Sequence, residues 1–384
     1  MQTELSTDDC SPASVPPTIH WPATTAQSST LADLTTLRVG GAPSRYVETA
    51  TEAELIAAVR AADESGEPVL VVGGGSNLLV ADAGFDGVVV RDVRSGIDVP
   101  DASACAGATL TVPAGTPWDE VVRYAVEQEL TGIETLSGIP GSTGATPVQN
   151  VGAYGQEVSQ SIATVRVWDR GRGKVRTLPL VTLAFGYRTS LLKRSMRSAD
   201  SDDPRAPWSP TPRYVVLDVT FQLRPGDLSR PIVYAELART LGIEIGGRAP
   251  LAAVRETVLA LRARKGMVLD PDDHDTWSAG SFFTNPLLTA EAAAALPDDA
   301  PRFPTDDGRV KSSAAWLIER SGFSRGFGAP GPATLSTKHA LALTNRGGAK
   351  AEDLLALARQ VRDGVRASFG VELEPEPVLV GVTL

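Results

Sequence analysis

Residues Pro68-Val-Leu-Val-Val-Gly-Gly-Gly-Ser-Asn77 join a short, unbroken apolar run to three successive glycines. Val69–Val72 has the length and branching of a buried strand. The glycines that follow accept positive φ and let backbone N–H groups approach a ligand with no Cβ in the way. Successive N–H groups in such a turn form a nest suited to an anion, and to a pyrophosphate in particular. No Lys-Ser/Thr pair follows, so the turn is not a P-loop. Leu78 stands where a dinucleotide-binding G-x-G-x-x-G needs its third glycine, and Leu78–Val80 predicts a strand rather than a helix. A second glycine-dense stretch, Gly138-Ile-Pro-Gly-Ser-Thr-Gly-Ala145, is followed closely by Gln149-Asn-Val-Gly-Ala-Tyr-Gly155. Two such turns in the strand-rich part of the chain ask for a dinucleotide held between two β-rich lobes by loops alone.

Outward from these turns the punctuation is regular. Thr51-Glu-Ala-Glu54 forms a capping box opening a helix through Leu55–Ala62, with Gly66 and Pro68 beyond its end. Thr116 is expected to cap a second helix, with Pro117 at its first position and Gly132 near its end. Thr164–Trp168 and Tyr214–Leu223 read as strands. After about Gly246 helical spacing takes over: Leu251, Val254, Val258 and Leu261 share one face, with Arg262, Arg264 and Lys265 at the C-terminal end where cations suit the dipole. Helices near 312–321 and 351–368 and a closing strand over 371–382 complete an α+β pattern. Residues 1–33, rich in Ser, Thr, Pro and Asp, read as a disordered tail, and 193–213 as an insertion loop.

With 384 residues, the chain has room for two or three domains. Its 46 acidic and 36 basic residues give a net charge of −10, which argues against a binder that lives on neutralising nucleic-acid phosphates. Three histidines and two cysteines, Cys10 and Cys105, leave little material for a metal centre, and no metal is expected. No apolar run approaches the ~20 residues of a membrane span. The N-terminal MQTELSTDDC lacks the apolar core of a signal peptide. The expectation is a cytoplasmic enzyme, monomeric, with neither nucleic acid nor membrane as partner.

Five motifs occur in a telling order: Pro68–Asn77, Ile139-Pro-Gly-Ser-Thr-Gly144, Phe185-Gly-Tyr-Arg188, Gly280-Ser-Phe-Phe-Thr-Asn-Pro286 and Leu373-Glu-Pro-Glu376. From about Leu34 to the C-terminus the chain resembles the UDP-N-acetylenolpyruvoylglucosamine reductase family. That resemblance implies a two-lobed FAD-binding domain of the vanillyl-alcohol-oxidase type over residues 34–246, with lobes of about 34–100 and 101–246. A C-terminal α/β substrate-binding domain would follow over 247–384, its last strand returning to the first lobe. It also implies non-covalent FAD, NADPH as co-substrate, and reduction of UDP-N-acetylglucosamine enolpyruvate to UDP-N-acetylmuramate for peptidoglycan. Carried over residue by residue, it places FAD against Gly73, Gly74, Gly75, Ser76, Asn77, Pro140, Gly141, Ser142, Thr143, Gly144, Asn150, Gly152 and Ala153. Arg188, Ser281 and Glu376 match the family's catalytic residues, and Tyr234, Lys265, Asn285 and His339 its substrate contacts.

The residue types suit that chemistry. A guanidinium holds a carboxylate bidentately and becomes a stronger partner as the carboxylate gains charge. A serine hydroxyl is a weak acid, yet a carbanion is basic enough to take its proton. Glu372, Glu374 and Glu376 alternate, so a strand would place all three on one face, where a neighbouring carboxylate would raise the pKa of Glu376. Two rivals are open. Gly322-Phe-Ser324-Arg-Gly326 satisfies G-x-S-x-G and would suit a serine hydrolase if a strand preceded it and a helix followed. A flavin-dependent oxidase of sugars or alcohols on the same superfold is the other, because fold alone does not fix chemistry.

Overall fold

The computed structural model describes residues 30–103, 107–196, 208–305 and 307–384. The first lobe is built on three parallel strands in the order Pro43–Thr49, Phe85–Asp92, Val69–Val72. Helix Glu52–Ser65 begins at the foreseen capping box: Thr51 accepts from Glu54 N, while the Glu54 carboxylate accepts from Thr51 N. Gly66 ends it in the left-handed region. The helix lays Leu55, Val59 and Ala62 on Val69, Val88 and Val90, and this core continues into Trp168, Val215 and Leu217 of the second lobe.

That second lobe is an antiparallel sheet ordered Lys174–Pro179, Ile162–Asp169, Tyr214–Pro225, Gly107–Pro113, Asp98–Ser103, with Leu130–Thr131 pairing onto the long central strand. Helix Trp118–Glu127 covers one face, burying Trp118 against Phe221. Pro117, not Thr116, stands at its N-cap, and no side chain caps it. The Thr116 hydroxyl is engaged with the backbone of Gly96 instead, so a cap signature is here a strut between loops.

Ion pairs bind the lobes across their seam. Arg166 reaches Glu52 and Asp218, and Arg170 meets Asp63 at 2.7 Å with both side chains almost fully buried. Arg94 pairs with Asp92 and donates to Leu217 O at 2.8 Å. Burial pushes the Asp218 carboxyl up despite Arg166, which marks the seam as dry.

Helices Leu251–Arg264, Ala314–Arg320 and Ala351–Phe369 and several short antiparallel pairs make up the C-terminal region. Its core runs without a break into Leu37, Val39 and Leu79 of the first lobe. The closing strand is shorter than expected, only Val378–Val380, and it pairs in parallel with Leu78–Val80 immediately after the glycine turn.

Two readings of the margins change. The tail expectation for 1–33 is corrected at its end: Leu31–Leu34 form a 3-10 helix, with Leu31 and Leu34 buried against Leu70, Val80 and Val380. Residues 1–29, including Cys10, lie outside the described residues, as does Cys105. The reading of 193–213 as a loop is corrected in part: Lys193 belongs to a short helix, Leu191–Arg194, and Trp208 and Thr211 are buried, while 197–207 lie outside the described residues. Among the described residues, no helix is long and apolar enough to cross a membrane.

Candidate active site

Strand Val69–Val72 delivers its glycines straight against the second turn. A Cβ on Gly73 would lie 2.1 Å from Ser142 Oγ, one on Gly74 2.6 Å from Gly141 Cα, and one on Gly75 1.7 Å from Leu34 O. Gly75 also sits at φ +60°, which disfavours any L side chain. Ser76 Oγ donates to Pro140 O at 2.9 Å and locks the turns together. Between them, and on under the sheet of the second lobe, lies a cavity of about 330 Å³.

Arg188, Ser281 and Glu376 all line this cavity, with Gly73–Asn77, Pro140–Ser142, Gly144 and Gly152. Arg188 occupies a tight turn in which Gly186 and Thr189 exchange both backbone hydrogen bonds. It lies at φ +52°, a conformation costing a non-glycine residue about 1–3 kcal/mol. Its Nη2 donates to Gly152 O at 3.1 Å, and its Nε lies 3.0 Å from Glu376 Oε1. Glu376 comes from the far end of the chain, where its N–H donates to Phe282 O at 2.8 Å and Thr284 N–H to Glu374 O. That short pairing of 282–284 with 374–376 brings Ser281 and Glu376 to the same wall.

The electrostatics of Glu376 differ from expectation in their cause. Its carboxyl is raised, but by burial, with Arg188 and Lys193 opposing, and no second carboxylate takes part. Glu372 and Glu374 are exposed, and the segment is loop with one bridge at Pro375 instead of a continuous strand. Ser281 is half-buried beside Gly280, and behind it Phe282 and Phe283 are fully buried edge to face.

Not every expected contact faces the cavity. Thr143 is buried and donates to Thr116 O. Asn150 donates to Glu157 and Gly186 O, and Ala153 O accepts from Thr135. These three shape the turn from behind, and neither they nor Asn285 line the cavity. Asn285 Oδ1 accepts from Ala314 N at the start of a helix, and its own N–H points at Tyr187 Oη. Lys265 and His339 line a second cavity, about 580 Å³, with Arg239, Arg264, Arg325 and Lys338. There Lys265 pairs with Glu236 at 2.6 Å, and burial, aided by Lys265 and Arg325, pushes the His339 imidazole down to about 4. Tyr234 lies outside both, half-exposed before helix Ala235–Leu241, its ring edge-on to Tyr154.

Arg262 and Gln149 are the residues that sequence reasoning passed over. Arg262 lines the main cavity, and burial pushes it down to about 10. Its Nη2 donates to Met267 O, while its Nε is buried without a hydrogen-bond partner. The signal was legible: Arg262 follows Val258 by four positions on the inward face of its helix. A buried donor without a partner is costly unless a ligand supplies the acceptor.

The donor set therefore fits a dinucleotide such as FAD. At the two turns close-packed glycines present backbone groups to the cavity, and Arg262 offers a fixed donor in its wall. The hydrolase reading fails on geometry: Ser324 follows helix Ala314–Arg320 and is exposed, with no strand before it and no helix after it.

Comparison with known proteins gives the same picture. Residues 270–380 match the model of the UDP-N-acetylenolpyruvoylglucosamine reductase C-terminal domain, and residues 43–179 that of an FAD binding domain. UDP-N-acetylenolpyruvoylglucosamine reductase of Cutibacterium acnes is 55% identical over 356 residues, covering 92% of this chain and 90% of that protein. The chain belongs to the UDP-N-acetylenolpyruvoylglucosamine reductase family. The Streptomyces avermitilis reductase is 54% identical, covering 92% of this chain and 94% of its own. The crystal structure of the reductase from Thermus caldophilus matches with TM-score 0.59 at 26% identity, over 91% of this chain and 97% of that one. The reductase family's two matched domains bracket the cavity: the glycine turns fall in the first and Ser281 and Glu376 in the second.

Proposed function

We propose that this chain carries out the FAD-dependent reduction of UDP-N-acetylglucosamine enolpyruvate to UDP-N-acetylmuramate, with NADPH as reductant, in the cytoplasmic synthesis of peptidoglycan precursors. The observation that carries the reading is the meeting of Arg188, Ser281 and Glu376 on the wall of the cavity built by the two glycine turns. All three come from one chain, so a monomer suffices. Residues 34–246 would act as the cofactor domain and 247–384 as the substrate domain, with Val378–Val380 tying the second to the first.

Gly73–Asn77, Pro140–Ser142, Gly144, Gly152 and Arg262 would hold the cofactor. Held there, FAD would supply the hydride chemistry between NADPH and the β-carbon of the enolpyruvyl group. The residues' share is to manage the charge that then appears on the α-carbon and its carboxylate. Arg188, held by its turn and by Gly152 O, offers the guanidinium to that carboxylate. Glu376 is raised towards its neutral form by burial and can donate a hydrogen bond to an oxygen gaining charge. Ser281 supplies the proton to the α-carbon, completing addition of one hydride and one proton across the double bond. The buried Phe282 and Phe283 anchor the Ser281 segment in the core of the C-terminal region. Lys265, with the other cations of the second cavity, would receive the substrate's diphosphate.

The test is the visible spectrum of the purified protein, followed by rapid mixing of each half-reaction. Ser281→Ala should slow substrate reduction by about 10²–10⁴-fold, the usual worth of general acid catalysis. Flavin reduction by NADPH should stay near normal, because that step puts no proton on carbon. A colourless protein that takes up no FAD, or equal losses in both half-reactions, would sink the reading.

A further inference from the structure

Gln149 lies where the glycine turn, helix Leu191–Arg194 and the Glu376 segment meet. Its Oε1 accepts from Asn77 Nδ2 at 2.8 Å and from Lys193 Nζ at 3.3 Å. Two donors on the oxygen fix which way the amide faces. The NH2 group therefore points at Glu376 Oε1, 3.2 Å away, the same oxygen that stands 3.0 Å from Arg188 Nε. Asn77 closes the circuit: its Nδ2 reaches Glu376 O at 3.4 Å, and its own carbonyl accepts from Val378 N.

We propose that Gln149 is a positioning residue for substrate reduction, its amide holding the Glu376 carboxyl in its reacting place and tying that place to the cofactor turn through Asn77. The proposal rests on the reading of Arg188 and Glu376 given above.

The physical need is visible in the charges. Glu376 is buried and faces two cations, Arg188 and Lys193. Left to these, the carboxylate would close a two-pronged pair with the Arg188 fork, the geometry such groups favour. A fork so occupied could not receive a substrate carboxylate. The structure instead shows an ion-pair approach of Nε to Glu376 Oε1 that makes no aligned hydrogen bond, with Nη2 turned to Gly152 O. Gln149 accounts for both halves of this arrangement. Its NH2 competes for the Glu376 oxygen nearest Arg188, and its oxygen gives Lys193 an acceptor other than Glu376. A neutral amide, donor and acceptor at once, does both.

Two variants test this, with three readouts: bound FAD, the two half-reactions by rapid mixing, and the pH profile of substrate reduction. Gln149→Glu keeps acceptors for Asn77 and Lys193 but sets a second carboxyl against Glu376. Two carboxyls sharing a site hold one proton longer, so the alkaline limb of substrate reduction should move up by about one pH unit or more. The rate at neutral pH should fall by about 10²-fold, the scale of an ångström-sized misplacement, while flavin reduction by NADPH falls far less. Gln149→Leu removes both functions and should lose a similar factor, but with the limb moving down instead of up, because Glu376 is then free to close its pair with the Arg188 fork. An unmoved limb in both variants, or proportional losses in both half-reactions, overturns the proposal. Loss of FAD from both would assign Gln149 a structural role and overturn it too. Wild-type protein that binds FAD and yet never reduces the enolpyruvyl sugar would overturn the underlying reading instead, and this proposal with it.

Discussion

The main cavity is floored by the backbone and small residues of the glycine turns, Gly73–Ser76 and Gly141, Ser142 and Gly144, whereas the cavity beside helix Leu251–Arg264 is walled by long charged side chains: Arg239, Arg264, Lys265, Arg325 and Lys338 against Glu236 and Glu319. The first is a shape, fixed by atoms that touch within a few ångströms and have nowhere to move. The second is a field, in which each side chain can swing and a neighbour can stand in for it. A shape should fail all at once when one atom is added, and a field should weaken by degrees.

Substitutions can break that contrast, beginning with the most severe. Gly75→Ala places a Cβ 1.7 Å from Leu34 O on a backbone at φ +60°, so flavin per chain, read from absorbance, should collapse. Gly308→Ala is its control: φ is also positive, at +80°, but among the described residues, its chain neighbours aside, no heavy atom lies within 4 Å of the added Cβ. It should cost only about 1–2 kcal/mol of stability and leave flavin content alone. Equal outcomes for the two would mean that close packing is not what the glycines provide.

Arg188→Lys comes next. An ammonium cannot keep Gly152 O and present a planar fork together. Substrate reduction should drop by about 10²-fold in rapid mixing, with FAD still bound. Lys265→Met is milder, as expected of one cation among several: KM for the UDP-sugar should rise about tenfold with kcat nearly unchanged, the mark of uniform binding. A fall in kcat instead would move Lys265 from holding the substrate to its chemistry.

The smallest effect concerns pH. His339 is pushed down to about 4 by burial, so it stays neutral in the folded protein while the unfolded chain takes up a proton below about 6.5. Its share of stability is whole above about 6.5 and drains away as the pH falls towards 4. His339→Gln should therefore flatten the decline of Tm over that window, measured by thermal melts at several pH values. An unchanged slope would show that His339 is solvated and not enclosed.

The same contrast explains what could be read before the fold was known. A turn that needs positive φ and bare backbone leaves glycines behind as local marks, so the strand, the turn and the helix ends were legible. A contact between Gln149 and Glu376 spans 227 positions and leaves no local mark at all. Thr116 misled because a capping residue and a loop strut use the same hydroxyl. The three alternating glutamates misled because alternation implies a strand only where a partner strand exists, and here the pairing is a single bridge at Pro375. Arg262 was visible as a cation at an inward helical position but was assigned to the helix dipole.

Val378–Val380 lies in register beside Leu78–Val80, and Asn77 and Glu376, which touch, are 299 positions apart. A ribosome that has just made the glycine turn must add nearly all of the remaining protein before that turn acquires its neighbouring strand. Until then the nascent first lobe carries an unpaired edge and lacks Glu376 beside its glycine turn. Catalytic competence is thereby pushed to the last seconds of synthesis, when Glu376 and the strand behind it arrive together.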